Sequence, residues 1–352
     1  MLDRFDRKRA LLALYAGFGL ATLACGFAPT HHWLLLARIA AGAFGGVAGS
    51  MVPAMVADVI PVERRGRALS VVMGAFPVAS VLGVPAGLLL AGHFGWHAPF
   101  IMLGACAAAN LALASFALPP IRTAVLDTHP WRQMREIVTH RVHLRAFAVS
   151  AALVMAGGCL IPFIAPSMIA NMGLTETQLT WVYAAGGACT FFSMPWVGRL
   201  SDQVDKLRLL IWMSIAAIAV VLVFTRLGGT PLWLACVMMA LFMVTMSSRF
   251  TPAMTMVTNA VEARYRGGFM SVNASLQQAA SAFANIVAGF FVTAGPGGQL
   301  NGLPLLGYVS VAFFVLTVLT AAELRSVAPH VSAPVPFPSR GTAPLEVELP
   351  AA

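Results

Sequence analysis

Two arginines, Arg38 and Arg249, stand deep inside long apolar runs. A guanidinium in hydrocarbon costs at least about 2.5–3.5 kcal/mol, so it is retained where it pairs with something or binds something. Each has a plainer alternative. Arg38 could be a structural cation held by backbone carbonyls. Arg249 follows Ser247-Ser248 and precedes Pro252, and its stem could carry the charge out to the cytoplasmic interface. A third run carries Asn273, Gln277 and Ser281 at every fourth position, on one helical face. Such a face lines a polar cavity or hydrogen-bonds a neighbouring helix. Groups of this kind suit binding by charge and hydrogen bonds, with no covalent step, no cofactor and no metal expected. None of the 13 Asp and Glu residues lies in mid-run, so the carboxylate that a proton-driven carrier usually needs is not located. His93 and His97 share an outer face with His31 and His32 and read as interfacial histidines. The five cysteines all fall in apolar segments without paired spacing and read as small apolar residues.

The elements that position these residues follow from composition. Hydrophobic residues make up 59% of the chain and charged residues 10%, against about 25% charged in a soluble domain. The apolar runs reach the length that crosses about 30 Å of hydrocarbon, and helices are the economical form for them. Ten spans are expected, over residues 11–28, 33–57, 69–92, 98–118, 146–170, 177–197, 207–225, 232–257, 267–294 and 303–324. The net charge of +9 does not imply nucleic acid. Of the 22 Lys and Arg residues, all but Arg38, Arg249 and Arg226 fall on one set of alternate loops, which the positive-inside rule makes cytoplasmic, with both termini inside. Trp33, Trp96, Trp181 and Trp233 lie near the outer ends of spans, as an aromatic belt predicts. Residues 119–145 read as a cytoplasmic linker with a short helix on the membrane surface. The tail 326–352, rich in Pro, Ser and Ala, reads as disordered.

A repeat organises the spans. The stretch from Leu2 to Arg9 recurs in degraded form from Leu200 to Arg208, with Asp3 and Asp202 199 positions apart. Glu63-Arg64-Arg65-Gly66-Arg67 recurs as Glu262-Ala263-Arg264-Tyr265-Arg266, again 199 positions on. Two spans precede the first loop in the second copy and none in the first. The register therefore leads one to expect two more spans, roughly 50 residues, before Met1.

These loops resemble the signature of the major facilitator superfamily between its second and third helices. Gly198-Arg199-Leu200-Ser201-Asp202 is similar to the second-half form, and Asp3 with Arg4 and Arg7 to the first, although Asp6 stands where the family has Gly. Leu36-Ala37-Arg38-Ile39-Ala40-Ala41-Gly42 resembles the fourth-helix motif, with Arg38 its buried cation. Gly74, Gly83 and Gly87 have the spacing of the antiporter motif, and Pro85 precedes Gly87 as in the drug and sugar efflux branch, which includes drug:proton antiporters and arabinose-efflux-permease-like proteins.

The resemblance implies an all-α polytopic membrane protein of the major facilitator fold, with about ten helices (four plus six) instead of twelve. A truncated N-terminal half would span residues 1–118 and a six-helix half residues 146–325. It implies that Asp3, Arg4, Arg7, Gly198, Asp202 and Arg208 latch the motif loops. Arg38, Arg249, Asn273, Gln277 and Ser281 would serve coupling or binding, and Gly42, Gly74, Gly83, Pro85 and Gly87 helix packing. The expected function is alternating-access transport of a small organic solute or drug, with proton-coupled export, by a monomer in the bacterial inner membrane. The alternatives are an uptake permease of the same fold and a transport-inactive fragment or membrane scaffold.

Overall fold

A computed structural model describes residues 7–59, 72, 75, 79–118, 130–262, 265–295 and 298–332. The described chain is almost wholly helical. In the first part, α1 (Arg7–Gly26) and α2 (His31–Val59) form a hairpin. A single π-helical turn (Ala79–Gly83) leads into α3 (Val84–Phe94), which has Pro85 in its first turn, and α4 (Ala98–Ala117) follows. A short amphipathic helix, α5 (Pro130–Thr139), connects to the second part. There, α6 (Arg141–Gly158) runs almost directly into α7 (Ile161–Ala170). Then come α8 (Glu176–Gln203), α9 (Lys206–Phe224), α10 (Leu232–Asn259) and α11 (Arg266–Phe291). A two-stranded hairpin, β1 (Thr293–Ala294) with β2 (Leu300–Asn301), leads to α12 (Leu303–Val327).

Local chemistry sets the ends of these helices. Thr175 and Gln178 form a reciprocal capping box that starts α8. Gly302 caps α12 at a φ of 87°, a conformation that glycine alone adopts without strain.

Among the described residues, seven helical segments are long and apolar enough to cross a membrane: α1, α2, α4, α6 with α7, α9, α10 and α12. Helix α3 is apolar but short, and the rest of the expected span 69–92 lies largely outside the described residues. Helices α8 and α11 are long enough, but polar residues interrupt them. Large apolar side chains such as Phe192, Trp212 and Phe290 face outward, as helices bathed in hydrocarbon require.

The core sits in the second part. One buried cluster joins α6 to α12 through Ala156, Ile164, Met239, Phe242 and Phe314, and Leu88 of α3 packs against it. A second gathers Phe147, Leu153, Leu210, Ala253, Phe269 and Leu324 nearer the other end of the bundle. The first part meets the second along two seams, α2 against α11 and α3 against α8.

Three boundaries differ from expectation. Helix α6 starts at Arg141, because the basic residues at its start belong to the helix although they interrupt the apolar run. The linker helix does not simply lie on a surface: Ile137 is 1% exposed within the second cluster, and Tyr265 donates a hydrogen bond to Glu136 Oε2 at 2.8 Å. The tail is ordered at its beginning. Helix α12 continues to Val327, and a 3-10 turn, Pro329–Ser332, buries Val331 against the second cluster.

Candidate functional site

Helix α2 carries glycine at positions 42, 45, 46 and 49. This spacing keeps one face almost free of side chains. Helix α11 presents Ser275, Gln277 and Gln278. Where the two cross, a cavity of about 430 Å³ opens, lined by Gly45, Gly46 and Gly49 on one side and by these three polar residues on the other. The volume falls in the range of small-molecule sites. Arg38 lies four residues before Gly42 and seven before Gly45, so it continues the same face toward the start of α2. Its side chain is exposed rather than buried, because no described neighbour covers this flank of α2. A strip of bare backbone and a row of polar side chains thus share one seam between the two parts of the molecule, and Arg38 lies beyond it on the same face of α2. The arrangement offers hydrogen-bond donors and acceptors to a polar molecule.

The row predicted on α11 is divided among three environments. Gln277 lines the cavity, and its Nε2 lies 3.6 Å from the Met254 sulfur. Ser281 packs toward Gly158 of α6. Asn273 is 1% exposed, and both of its amide atoms are buried without a hydrogen-bond partner among the described residues. A four-residue spacing rotates slowly around a helix, so three successive positions can meet three different neighbours.

Arg249 is not near the surface. It is 2% exposed in α10, with its guanidinium carbon 4.1 Å from the centre of the Phe314 ring. That rules out extension of its stem to the interface.

The motif residues fare differently. Asp3, Arg4 and Gly74 lie outside the described residues, and of Arg7 and Asp202 only the helical backbone is described. Gly198 lies in the last turns of α8. Arg208 is exposed, and its backbone N–H donates to Asp205 Oδ1 at 3.0 Å. Asp205, which the sequence analysis did not single out, therefore caps α9 and also holds Arg325 of α12, with Nη2 3.2 Å from Oδ2. The signal was present as an Asp directly before a helix start.

Among the described residues, a Cβ at Gly42, Gly83 or Gly87 would meet nothing within 4 Å. Pro85 is buried in the first turn of α3. Close approach occurs instead where Phe44 covers Gly17 and Phe18 covers Gly45, an exchange between α1 and α2. The mirrored pairs Gly17-Phe18 and Phe44-Gly45 were visible in the sequence.

Of the cysteines, Cys25 and Cys159 are buried, whereas Cys106 and Cys189 are exposed on outward helix faces. His97 is fixed by a 2.8 Å contact from Nδ1 to the Gly26 carbonyl and stacks on Trp96.

The sequence profile described as Major Facilitator Superfamily matches this chain over residues 1–284 and 146–346. A vacuolar membrane amino acid uptake transporter of Schizosaccharomyces pombe is 33% identical over 100 residues, 28% of this chain and 17% of that protein. The chloramphenicol resistance protein of Streptomyces lividans is 29% identical over 204 residues, 56% of this chain and 51% of that protein. A probable sugar efflux transporter of Mannheimia succiniciproducens is 30% identical over 121 residues, 34% of this chain and 30% of that protein. The chain thus spans about half the length, or less, of these curated relatives. Among solved structures, the fold is similar to the inward-facing, unoccupied crystal structure of a bacterial homolog of the human lysosomal transporter Spinster. The TM-score is 0.64 at 18% identity, covering 94% of this chain and 85% of that one.

Proposed function

Because this chain belongs to the Major Facilitator Superfamily, we propose that it carries a small organic solute across a membrane by alternating access, with the α2–α11 seam as the place where the solute binds. The observation that carries this reading is the cavity in which the glycine face of α2 meets Ser275, Gln277 and Gln278. A rocking motion of one helical group against the other would open and close such a seam, with a site near the middle of the membrane. Arg38 holds an anionic or polar part of the solute, or serves the coupling of its passage to protons as a fixed charge. Gln277 and Gln278 supply paired donors and acceptors.

Proton-coupled export is the direction that the glycine spacing and Pro85 favour. Relatives bearing resistance and efflux names support it, and one named for uptake keeps the uptake permease as the alternative. The location is a bacterial inner membrane with both termini cytoplasmic. The motif residues Asp3, Arg4, Arg7, Gly198, Asp202 and Arg208 latch one state, and the chain works as a monomer.

The test is counterflow in proteoliposomes under an imposed proton gradient, screened with chloramphenicol, sugars and amino acids. The expected result is gradient-driven movement of at least one class that Arg38→Ala abolishes while the variant still inserts. Normal transport by Arg38→Ala removes the role given to that residue. No movement of any class removes the transport reading in favour of the scaffold.

A further inference from the structure

Two cations of the second part are buried, Lys206 at the start of α9 and Arg249 within α10, and it is Arg249 whose polar atoms lack partners among the described residues. Arg249 is 2% exposed, and no Asp or Glu is buried among the described residues. One face of its guanidinium is covered by Phe314, and Nη2 reaches the Met246 sulfur at 3.6 Å. Its Nε and Nη1 are buried with no hydrogen-bond partner among the described residues. The same holds for the hydroxyls of Ser248 beside it, Ser214 on α9 and Ser150 on α6, each at most 2% exposed.

Along their helices these groups fall near the point where residues of one apolar cluster give way to those of the other, which defines a layer across the bundle. On α9, Ser214 falls between Leu210 of one cluster and Ala217 of the other. On α10, Ser248 and Arg249 fall between Phe242 and Ala253. On α6, Ser150 lies one turn from the boundary between Leu153 and Ala156. Phe314 of α12 closes the layer.

The layer is therefore rich in donors and carries one positive charge. Water could satisfy the hydroxyls but would leave the charge, and an uncompensated charge taken out of water is the costliest group a bundle can bury. An anion answers both needs at once. Phe314, Leu210, Ala217 and Ala253 flank the layer and are each fully buried, so an organic acid could enter only by parting the helices, whereas a single small ion makes the least demand on the packing. Arg249 is not among the residues that line the α2–α11 cavity. We infer that this layer is an internal binding site for a small inorganic monovalent anion of about the size of chloride, separate from the solute path and independent of the transport reading.

The test uses the full chain purified in an uncharged detergent with gluconate as the bulk anion. Chloride is the probe. Wild type is expected to broaden the 35Cl resonance and to release the ion when bromide is added. Chloride should also raise the unfolding temperature of wild type saturably. Arg249→Met should abolish both effects and should unfold no lower than wild type in gluconate, because its neutral stem needs no partner. If that variant does not fold, Ser214→Ala and Ser248→Ala keep the question open to measurement, and each should weaken chloride binding about tenfold. No protein-dependent broadening with wild type overturns the proposal, as does equal broadening with Arg249→Met. Neither readout involves transport, so that outcome leaves the solute site untouched.

Discussion

Asp205 does two jobs with one carboxylate. Oδ1 accepts the Arg208 N–H at the start of α9, and the same group pairs with Arg325 at the end of α12. The cap is the stronger contribution. Replacing an N-cap carboxylate by alanine costs about 1–2 kcal/mol, whereas an ion pair whose arginine side chain is 41% exposed adds at most about 1 kcal/mol. Asp205→Ala should therefore lower stability by about 1–2 kcal/mol in urea unfolding of the detergent-solubilised protein. Asp205→Asn keeps an acceptor oxygen for the cap and should recover most of that loss. If the two variants unfold alike, the pair with Arg325 outweighs the cap. At this scale the sequence revealed residue types but not their surroundings. Asp205 stood in the repeat, yet Arg325 lies 120 positions away and the pairing depends on where α9 and α12 meet. Arg38 and Arg249 looked alike, each a cation in an apolar run. They differ because Phe314 of α12 covers the buried Arg249 while no described neighbour covers the flank of α2 at Arg38, and no local pattern encodes that.

Helices α1 and α2 are held together by an exchange of aromatic rings. Phe44 fills the space over Gly17, and Phe18 fills the space over Gly45, where an added Cβ would come within 2.9 Å of the ring. Gly45→Ala should cost about 1–3 kcal/mol through overpacking, and Phe18→Leu in the same chain should return part of it. The contrasting set is Gly42→Ala and Gly87→Ala. No described residue would meet an added Cβ at either position, and alanine favours helix over glycine by about 0.8–1.0 kcal/mol, so thermal unfolding should show no loss. Any loss of transport in that set would then report motion and not packing. Helix α5 gives a second contrast. Its fully buried Ile137 meets the second cluster, and a Cβ at Gly268 would lie 2.8 Å from Ile137 Cδ1. Ile137→Ala should cost about 2–5 kcal/mol and speed protease cleavage within residues 119–140, with α6 to α12 left intact. The helices themselves were legible because length and apolar runs set them: the span expected at 207–225 is observed as Lys206–Phe224. Starts rich in Arg were missed, as at α6, since a charged first turn is cheap at the membrane surface but breaks a hydropathy window.

The shared offset of 199 positions leads one to expect two related parts. Which helix of one part faces which of the other is not readable from it, because that depends on matching faces. Helix α2 offers backbone and α11 offers amides, so their seam packs loosely enough to hold a cavity. By contrast, α6 and α12 are joined by the Ser310 hydroxyl donating to the Ala156 carbonyl inside the apolar cluster. A seam lined by glycine and polar side chains separates at lower cost than one buried in hydrocarbon-like packing, since less apolar contact is given up. Alternating access by rocking therefore predicts opposite results from two cross-links in a chain whose five cysteines have been replaced. Gly46→Cys with Ser275→Cys, joined across the cavity by a bifunctional thiol reagent, should stop transport, and a reducible reagent should allow recovery. Ala156→Cys with Ser310→Cys, joined within one part, should leave the rate nearly unchanged. Equal inhibition by both would mean that the second part deforms internally during the cycle. Equal indifference would mean that the α2–α11 seam does not move, and the solute path would then have to be sought along α3 and α8.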